Sequence, residues 1–168
     1  MYYDTMQTDL VGEILLVGDT DELKMVALQQ GKKRLSISSE WTHDGSLFSN
    51  AKEQLQQYFN GDLKDFDLEL LPDGTDFQKK VWSALRNIQF GTTVSYSDIA
   101  KAIGNPKAVR AVGSAIGANP ISTIIPCHRV VSSSGKLTGF SSGIDLKILL
   151  LEHEGLKVKG NGKDAIVD

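Results

Sequence analysis

Apolar and polar positions follow two rhythms along the chain, and the change of rhythm divides it. Leu10 to Val17 and Glu22 to Leu28 are short apolar, β-branched runs of the kind that form strands. Gly18-Asp19-Thr20-Asp21 between them predicts a hairpin turn. From Ser46 to Phe59 the apolar residues fall at Leu47, Ala51, Leu55 and Tyr58/Phe59, which is helical spacing, and Asn60-Gly61 predicts its end. Phe66, Leu68 and Leu70 alternate with polar residues and predict a strand with one buried face. On that reading Asp62, Asp65, Asp67 and Glu69 belong to a solvated surface rather than to a metal site. His43 lies in a polar stretch with no evident ligand partner. The first part of the chain therefore reads as a small α/β unit.

Beyond the turn-forming Leu-Leu-Pro-Asp-Gly-Thr (70–75) the period becomes helical. Thr75 and Gln78 have the form of a capping box, and Phe77, Val81, Leu85 and Ile88 trace one helix face, which Gly91 closes. A second helix opens at Ser95 with Asp98 three residues on, uses Ile99 and Ile103 as its apolar face, and ends at Gly104. A third is expected from Asn105, with Pro106 in the first helical position. Two short helices about a Gly-Asn turn outline a helix-turn-helix. In the third, Val109, Val112 and Ile116 form an inward stripe, while Arg110, Gly113, Ser114 and Gly117 lie on the other side. Glycine costs a helix about 0.5–1 kcal/mol relative to alanine, so two on one face imply a close approach. The approaching partner could be the chain's own next segment or a DNA groove. Leu146, Leu149 and Leu150 mark a last helix.

Composition and charge sharpen this division. The chain has 168 residues, 40% apolar and 23% charged, and a net charge of −3. Taken whole, that charge argues mildly against a nucleic-acid partner. Yet residues 1–75 carry −8 and residues 76–168 carry +5. Two units are therefore expected, 1–75 structural and 76–168 carrying the chemistry. No apolar run approaches the roughly 18 residues of a membrane span. The first residues show no basic segment followed by an apolar one, so no secretory signal is expected and the cytoplasm is the expected compartment. One cysteine excludes an internal disulfide and a multi-cysteine zinc site.

That cysteine, Cys127, stands in Ile-Pro-Cys-His-Arg-Val-Val (125–131). A lone cysteine is usually an inert buried side chain; a nucleophile needs a base that promotes the thiolate. His128 is adjacent, but neighbours on an extended chain point opposite ways, so a water would have to relay the proton. Glu154, in Glu152-His153-Glu154-Gly155, is the candidate to orient the histidine. Three classes fit these features: a group-transfer enzyme, a helix-turn-helix module that binds without chemistry, and a cysteine hydrolase.

The Ile125–Val131 run resembles the active-site signature of the O6-alkylguanine-DNA alkyltransferases, the methylated-DNA–protein-cysteine methyltransferases. Thr75-Asp-Phe-Gln with Val81-Trp82, Val94-Ser95-Tyr96, Gly104-Asn-Pro-Lys-Ala-Val-Arg-Ala-Val-Gly113, Asn119-Pro120 and His153-Glu154-Gly155 are similar to the family in the same order. The resemblance implies a ribonuclease-H-like α/β N-terminal domain without chemistry of its own. A mainly α, helix-turn-helix or winged-helix-like domain would follow. It implies single-turnover transfer of the alkyl group from O6-alkylguanine, and O4-alkylthymine, in double-stranded DNA to Cys127, with no cofactor and no metal.

Residue by residue, the resemblance makes His128 the base, Glu154 its holder, Asn119 the brace of the nucleophile's turn and Tyr96 the hydroxyl near the departing base. Arg110 would fill the space left by a flipped nucleotide, with Ala111, Gly113, Ser114, Ala115 and Ser95 against DNA. Tyr96, Arg129, Val130, Phe140 and Ser141 would line the base pocket, and Lys136 to Gly143 would close it. The family members are expected to be monomers that can act cooperatively on DNA. Phe140 departs from a common tyrosine and Ser142 from a common glycine.

Overall fold

Residues 1–20 and 22–168 are described by a computed structural model, in which the chain forms two units. The first comprises Met1–Asp73 with Pro120–Ser122, and the second Gly74–Asn119 with Thr123–Asp168.

The first unit is built on β1 (Tyr2–Thr8), β2 (Gly12–Gly18), β3 (Leu23–Leu28) and β4 (Thr42–His43), in the order β3-β2-β1-β4. β1 and β3 run antiparallel to β2, and β4 runs parallel to β1. Ile14, Leu15, Leu16 and Val17 are all buried, so β2 is covered on both faces, and its unbroken apolar run follows from that. β1 escapes the sequence reading because Tyr-Tyr-Asp-Thr-Met-Gln-Thr has no apolar alternation. Its buried Asp4 is matched by His43 Nε2 at 3.0 Å and by Lys52 Nζ. The turn expected at 18–21 includes Asp21, which lies outside the described residues.

Three further expectations change here. The helix expected from Ser46 begins as a 3-10 turn, Gly45–Phe48, before α1 (Ser49–Phe59). Phe48 rather than Leu47 enters the core, because the tighter turn rotates the apolar face by one residue. Phe66 to Leu70 is extended but forms only an isolated bridge, Leu70 to Leu23. Gln54 caps its Asp67 backbone with two side-chain bonds instead of a ladder. Finally, Pro120–Ser122 lies along β3: Val26 N–H donates to Pro120 C=O at 2.9 Å and Ser122 N–H to Val26 C=O at 3.0 Å.

The second unit contains α2 (Asp76–Leu85), β5 (Val94–Ser95), α3 (Tyr96–Ala102) and α4 (Val109–Gly117). After a 3-10 turn at Cys127–Arg129 come β6 (Val130–Val131), α5 (Ile144–His153), β7 (Val158–Lys159) and β8 (Ile166–Val167). Full capping boxes open α2 (Thr75 with Gln78) and α3 (Ser95 with Asp98), as their spacing predicts. Pro106 is not in the first turn of a helix. Asn105–Ala108 form a separate turn, with Ala108 N–H on Asn105 C=O at 3.0 Å, and α4 starts at Val109. Val81, Trp82 and Leu85 of α2 meet Val112, Ala115 and Ile116 of α4 in the core. The α5 face also differs from expectation: Leu149 is exposed, and Lys147 is buried beside Leu146, Leu150 and Leu151. Among the described residues no helix is long and apolar enough to cross a membrane.

Candidate active site

The site grows from a short parallel pairing, Val94 to Val130 and Ser95 to Val131, that joins the start of α3 to the end of the nucleophile's turn. It places Tyr96, the first residue of α3, and Cys127 on one cavity of about 470 Å³. Gly113 of α4 and Thr138, Phe140 and Ser141 of the later loop complete its walls.

The approach to Cys127 is tightly held. Asn119 Nδ2–H donates to Ile125 C=O at 2.9 Å, and Cys127 N–H donates to the same carbonyl at 2.8 Å. Thr123, in between, sits at φ 72°, a left-handed conformation that is costly for a β-branched residue. Cys127 and His128 lie in a 3-10 turn, not an extended segment, so their side chains diverge by about 120° rather than 180°.

Behind the thiol is a buried ionic cluster. His128 Nε2–H donates to Glu154 Oε2 at 2.7 Å. Arg129 forks onto the same carboxylate, Nε–H to Oε1 at 2.8 Å and Nη2–H to Oε2 at 3.0 Å, and Gly91 N–H donates to Oε1 at 3.0 Å. Burial alone would raise the Glu154 pKa. The bonds donated by His128, Arg129 and Gly91 outweigh that and hold it well below the usual carboxylate range. Burial pushes the His128 pKa down, more than its bond to Glu154 pulls it up, so the imidazole is neutral. With its proton on Nε2, its lone pair is on Nδ1, which has no hydrogen-bond partner among the described residues.

Burial also pushes the Cys127 thiol up, against the opposing influence of Asn119, Lys147 and the backbone N–H groups of Cys127 and His128. The resting pair is therefore a neutral thiol and a neutral imidazole with a free lone pair. Such a pair makes a thiolate on demand rather than storing one.

Arg129 is not a pocket residue: its fork is spent on Glu154, its Nη1–H on Ile88 C=O at 2.6 Å, and its guanidinium lies over Phe90. Its place directly after His128 in a 3-10 turn sends it inward, to the buried Glu154 carboxylate. Val130 is fully buried and does not line the cavity; its carbonyl accepts from Lys147 Nζ at 2.6 Å. Ala115 is 2% exposed and its carbonyl accepts from Trp82 Nε1 at 2.8 Å, so it faces the core rather than a partner. Arg110, Ala111 and Ser114 are exposed on α4. Ser95 spends its hydroxyl on the α3 cap. A Cβ at Gly117 would meet nothing within 4 Å, and one at Gly113 would meet Tyr96 only at ordinary contact distance. The chain's own packing therefore does not explain this smooth face.

Lys147 was missed in the sequence. The residue is 1% exposed, and its ammonium donates to the Val130, Leu137 and Gly139 carbonyls at 2.6, 2.8 and 3.2 Å. Burial lowers its pKa to about 8. The available signal was a lone lysine three and four positions before Leu150 and Leu151, on the apolar face.

The exposed small-residue face of α4 and a cysteine next to a histidine with an unpaired ring nitrogen lie in the same unit, which marks that unit as the one carrying the site. Sequence comparison gives the chain its family. Residues 76–156 match the family described as 6-O-methylguanine DNA methyltransferase, DNA binding domain, and residues 1–72 its ribonuclease-like domain. The chain is 50% identical over 155 residues to the methylated-DNA–protein-cysteine methyltransferase of Methanosarcina acetivorans, covering 92% of this chain and 99% of that one. It is 46% identical over 154 residues to the Mycobacterium tuberculosis methyltransferase of the same name, covering 92% of each. The crystal structure of an M. tuberculosis relative in complex with DNA superposes with a TM-score of 0.84 at 46% identity, covering 92% of each chain. A Pyrococcus kodakaraensis O6-methylguanine-DNA methyltransferase structure gives 0.64 at 28% identity, covering 92% of this chain and 98% of that one. The chain belongs to the methylated-DNA–protein-cysteine methyltransferase family. It is an enzyme of alkyl-damage repair, and DNA is its partner.

Proposed function

We propose that the protein takes the alkyl group from O6-alkylguanine in double-stranded DNA irreversibly onto Cys127, once per molecule, after the nucleotide has turned out of the stack. O4-alkylthymine, which offers the same alkyl–oxygen bond, is the secondary substrate. The observation that carries this reading is His128, next in sequence to the buried Cys127, with its Nε2–H fixed on an ionised Glu154 and its Nδ1 without a hydrogen-bond partner among the described residues. His128 takes the thiol proton through a water. The sulfur lone pair then forms an S–C bond as the C–O6 bond breaks, and that electron pair leaves on guanine, which takes up the proton His128 removed from the thiol. Tyr96, on the cavity wall, supplies a hydroxyl to the departing base. The product is a thioether with no proton to return and no leaving group matched to His128, so the site does not reset.

The target carbon is out of reach inside a duplex, which is why extrusion is required. Arg110 occupies the vacated stack, a role its exposure on α4 supports, and Ala111, Gly113 and Ser114 keep that face low enough for a groove.

The test is incubation with excess O6-methylguanine duplex followed by peptide mass analysis. One methyl group on the Cys127 peptide and one repaired base per protein are expected. Repaired DNA beside an unmodified cysteine, or many turnovers on an ester or amide, would overturn the reading. Arg110→Ala should slow repair of duplex by about tenfold or more while leaving reaction with free O6-alkylguanine base nearly unchanged, since only the duplex substrate carries the unstacking cost of a few kcal/mol. Equal losses on both would remove Arg110 from the extrusion step.

A further inference from the structure

Two threonines are the only non-glycine residues at positive φ among the described residues, and the second is in the wall of the cavity. Thr138 sits at φ 61°. A β-branched residue persists there only where its surroundings hold it. Two holds are present. Beneath, Lys147 Nζ binds the carbonyls on either side, Leu137 and Gly139. Above, Thr138 Oγ1 lies 2.9 Å from Tyr96 Oη.

Counting protons orients that second contact. Thr138 Oγ1–H donates to Leu137 C=O at 2.7 Å, and a hydroxyl has one proton. In this resting arrangement Thr138 therefore accepts from Tyr96. Thr138 is exposed whereas Cys127 is buried, so this bond links two walls at the outer rim of the cavity, above the thiol. Leu137 C=O keeps Lys147 as a donor when Thr138 turns away. The bond can thus open without leaving a buried carbonyl unpaired.

We infer that Thr138 is a specificity-determining residue: its hydroxyl bonds Tyr96 across the cavity rim, and the bond sets the size of alkyl group admitted to Cys127. A methyl group passes within the space the bridge leaves. A larger group passes only when Tyr96 and the 137–141 loop separate. This inference rests on the alkyl-transfer reading above and adds the determinant of its substrate range.

Rates are measured on one duplex sequence carrying either O6-methylguanine or O6-benzylguanine, for the parent, Thr138→Val and Thr138→Ser. Valine keeps the branched bulk and loses the bond; serine keeps the hydroxyl and loses the branch. Thr138→Val is expected to raise the benzyl-to-methyl rate ratio by about fivefold, the effect of releasing one neutral hydrogen bond. Thr138→Ser should stay within about twofold of the parent. A Thr138→Val ratio equal to the parent's overturns the inference, as does a Thr138→Ser ratio that rises as far. If valine does not fold, judged by thermal melting, Thr138→Ala makes the same comparison. Failure of the parent on the methyl substrate would instead defeat the alkyl-transfer reading itself.

Discussion

Cys127→Ala is expected to lower alkyl transfer by roughly 10⁴-fold or more while leaving affinity for lesion-bearing duplex within about threefold of the parent. The first effect follows from chemistry: the S–C bond has no other atom in the chain to form on, because Cys127 is the one cysteine. The second follows from position. The thiol is buried at the floor of the cavity, whereas Arg110, Ala111 and Ser114 are exposed on α4. Loss of a floor atom removes reaction without removing the surface that meets DNA. Single-turnover repair and a fluorescence binding titration on the same duplex separate the two quantities. A variant that still consumed lesions would mean a non-covalent route, and one that lost binding in step with transfer would place the thiol in recognition.

Cys127 and His128 stood out as candidates because each is a rare residue type in a local pattern, and the structure joins His128 to the third candidate, Glu154. Cys127 and His128 are adjacent, and Glu154 closes a predicted helix. The capping boxes at Thr75 and Ser95 were legible for the same reason, since a cap is a contact three residues long. What the sequence hid depends on distant partners. Arg129 looked like a pocket residue until Ile88 and Glu154, 41 and 25 positions away, accounted for its donors. Lys147 carried no local signal of its role, because its partners are carbonyls of β6 and of the cavity loop. β1 was invisible because its pairing with β2, not its own composition, makes it a strand. Ala115 shows the limit of reading a helix by residue size: alanine suits a DNA-facing strip and a crowded core equally, and only Trp82 decides between them.

The Arg129 cluster leads to the largest expected change in stability. Arg129→Met should cost about 3–5 kcal/mol at pH 7.5, the loss typical of stranding one charge of a buried pair. The Glu154 side chain is fully buried and takes four donated bonds, two of them from Arg129. Methionine fills much of the volume but answers none of that charge, and it also leaves Ile88 C=O without its donor.

Two titrations give the effect a pH signature. Glu154 has a lowered folded pKa, so in the parent it stabilises the fold above its ordinary value of about 4.5, and that contribution fades as pH falls below it. His128 also has a lowered folded pKa, so its contribution is present above 6.5 and is lost as pH falls. Arg129's charge helps to keep His128 neutral. Without it, His128 can protonate and answer Glu154 in its place. The deficit of the variant should therefore be greatest near pH 7.5 and shrink as the pH falls, where a protonated His128 answers the Glu154 carboxylate in place of Arg129. Urea unfolding of parent and variant at pH 7.5, 6 and 4 measures this directly. A deficit under about 1 kcal/mol at pH 7.5 would show that the cluster does not depend on its arginine. A deficit that grew on acidification would show that Glu154 is not the charge Arg129 answers.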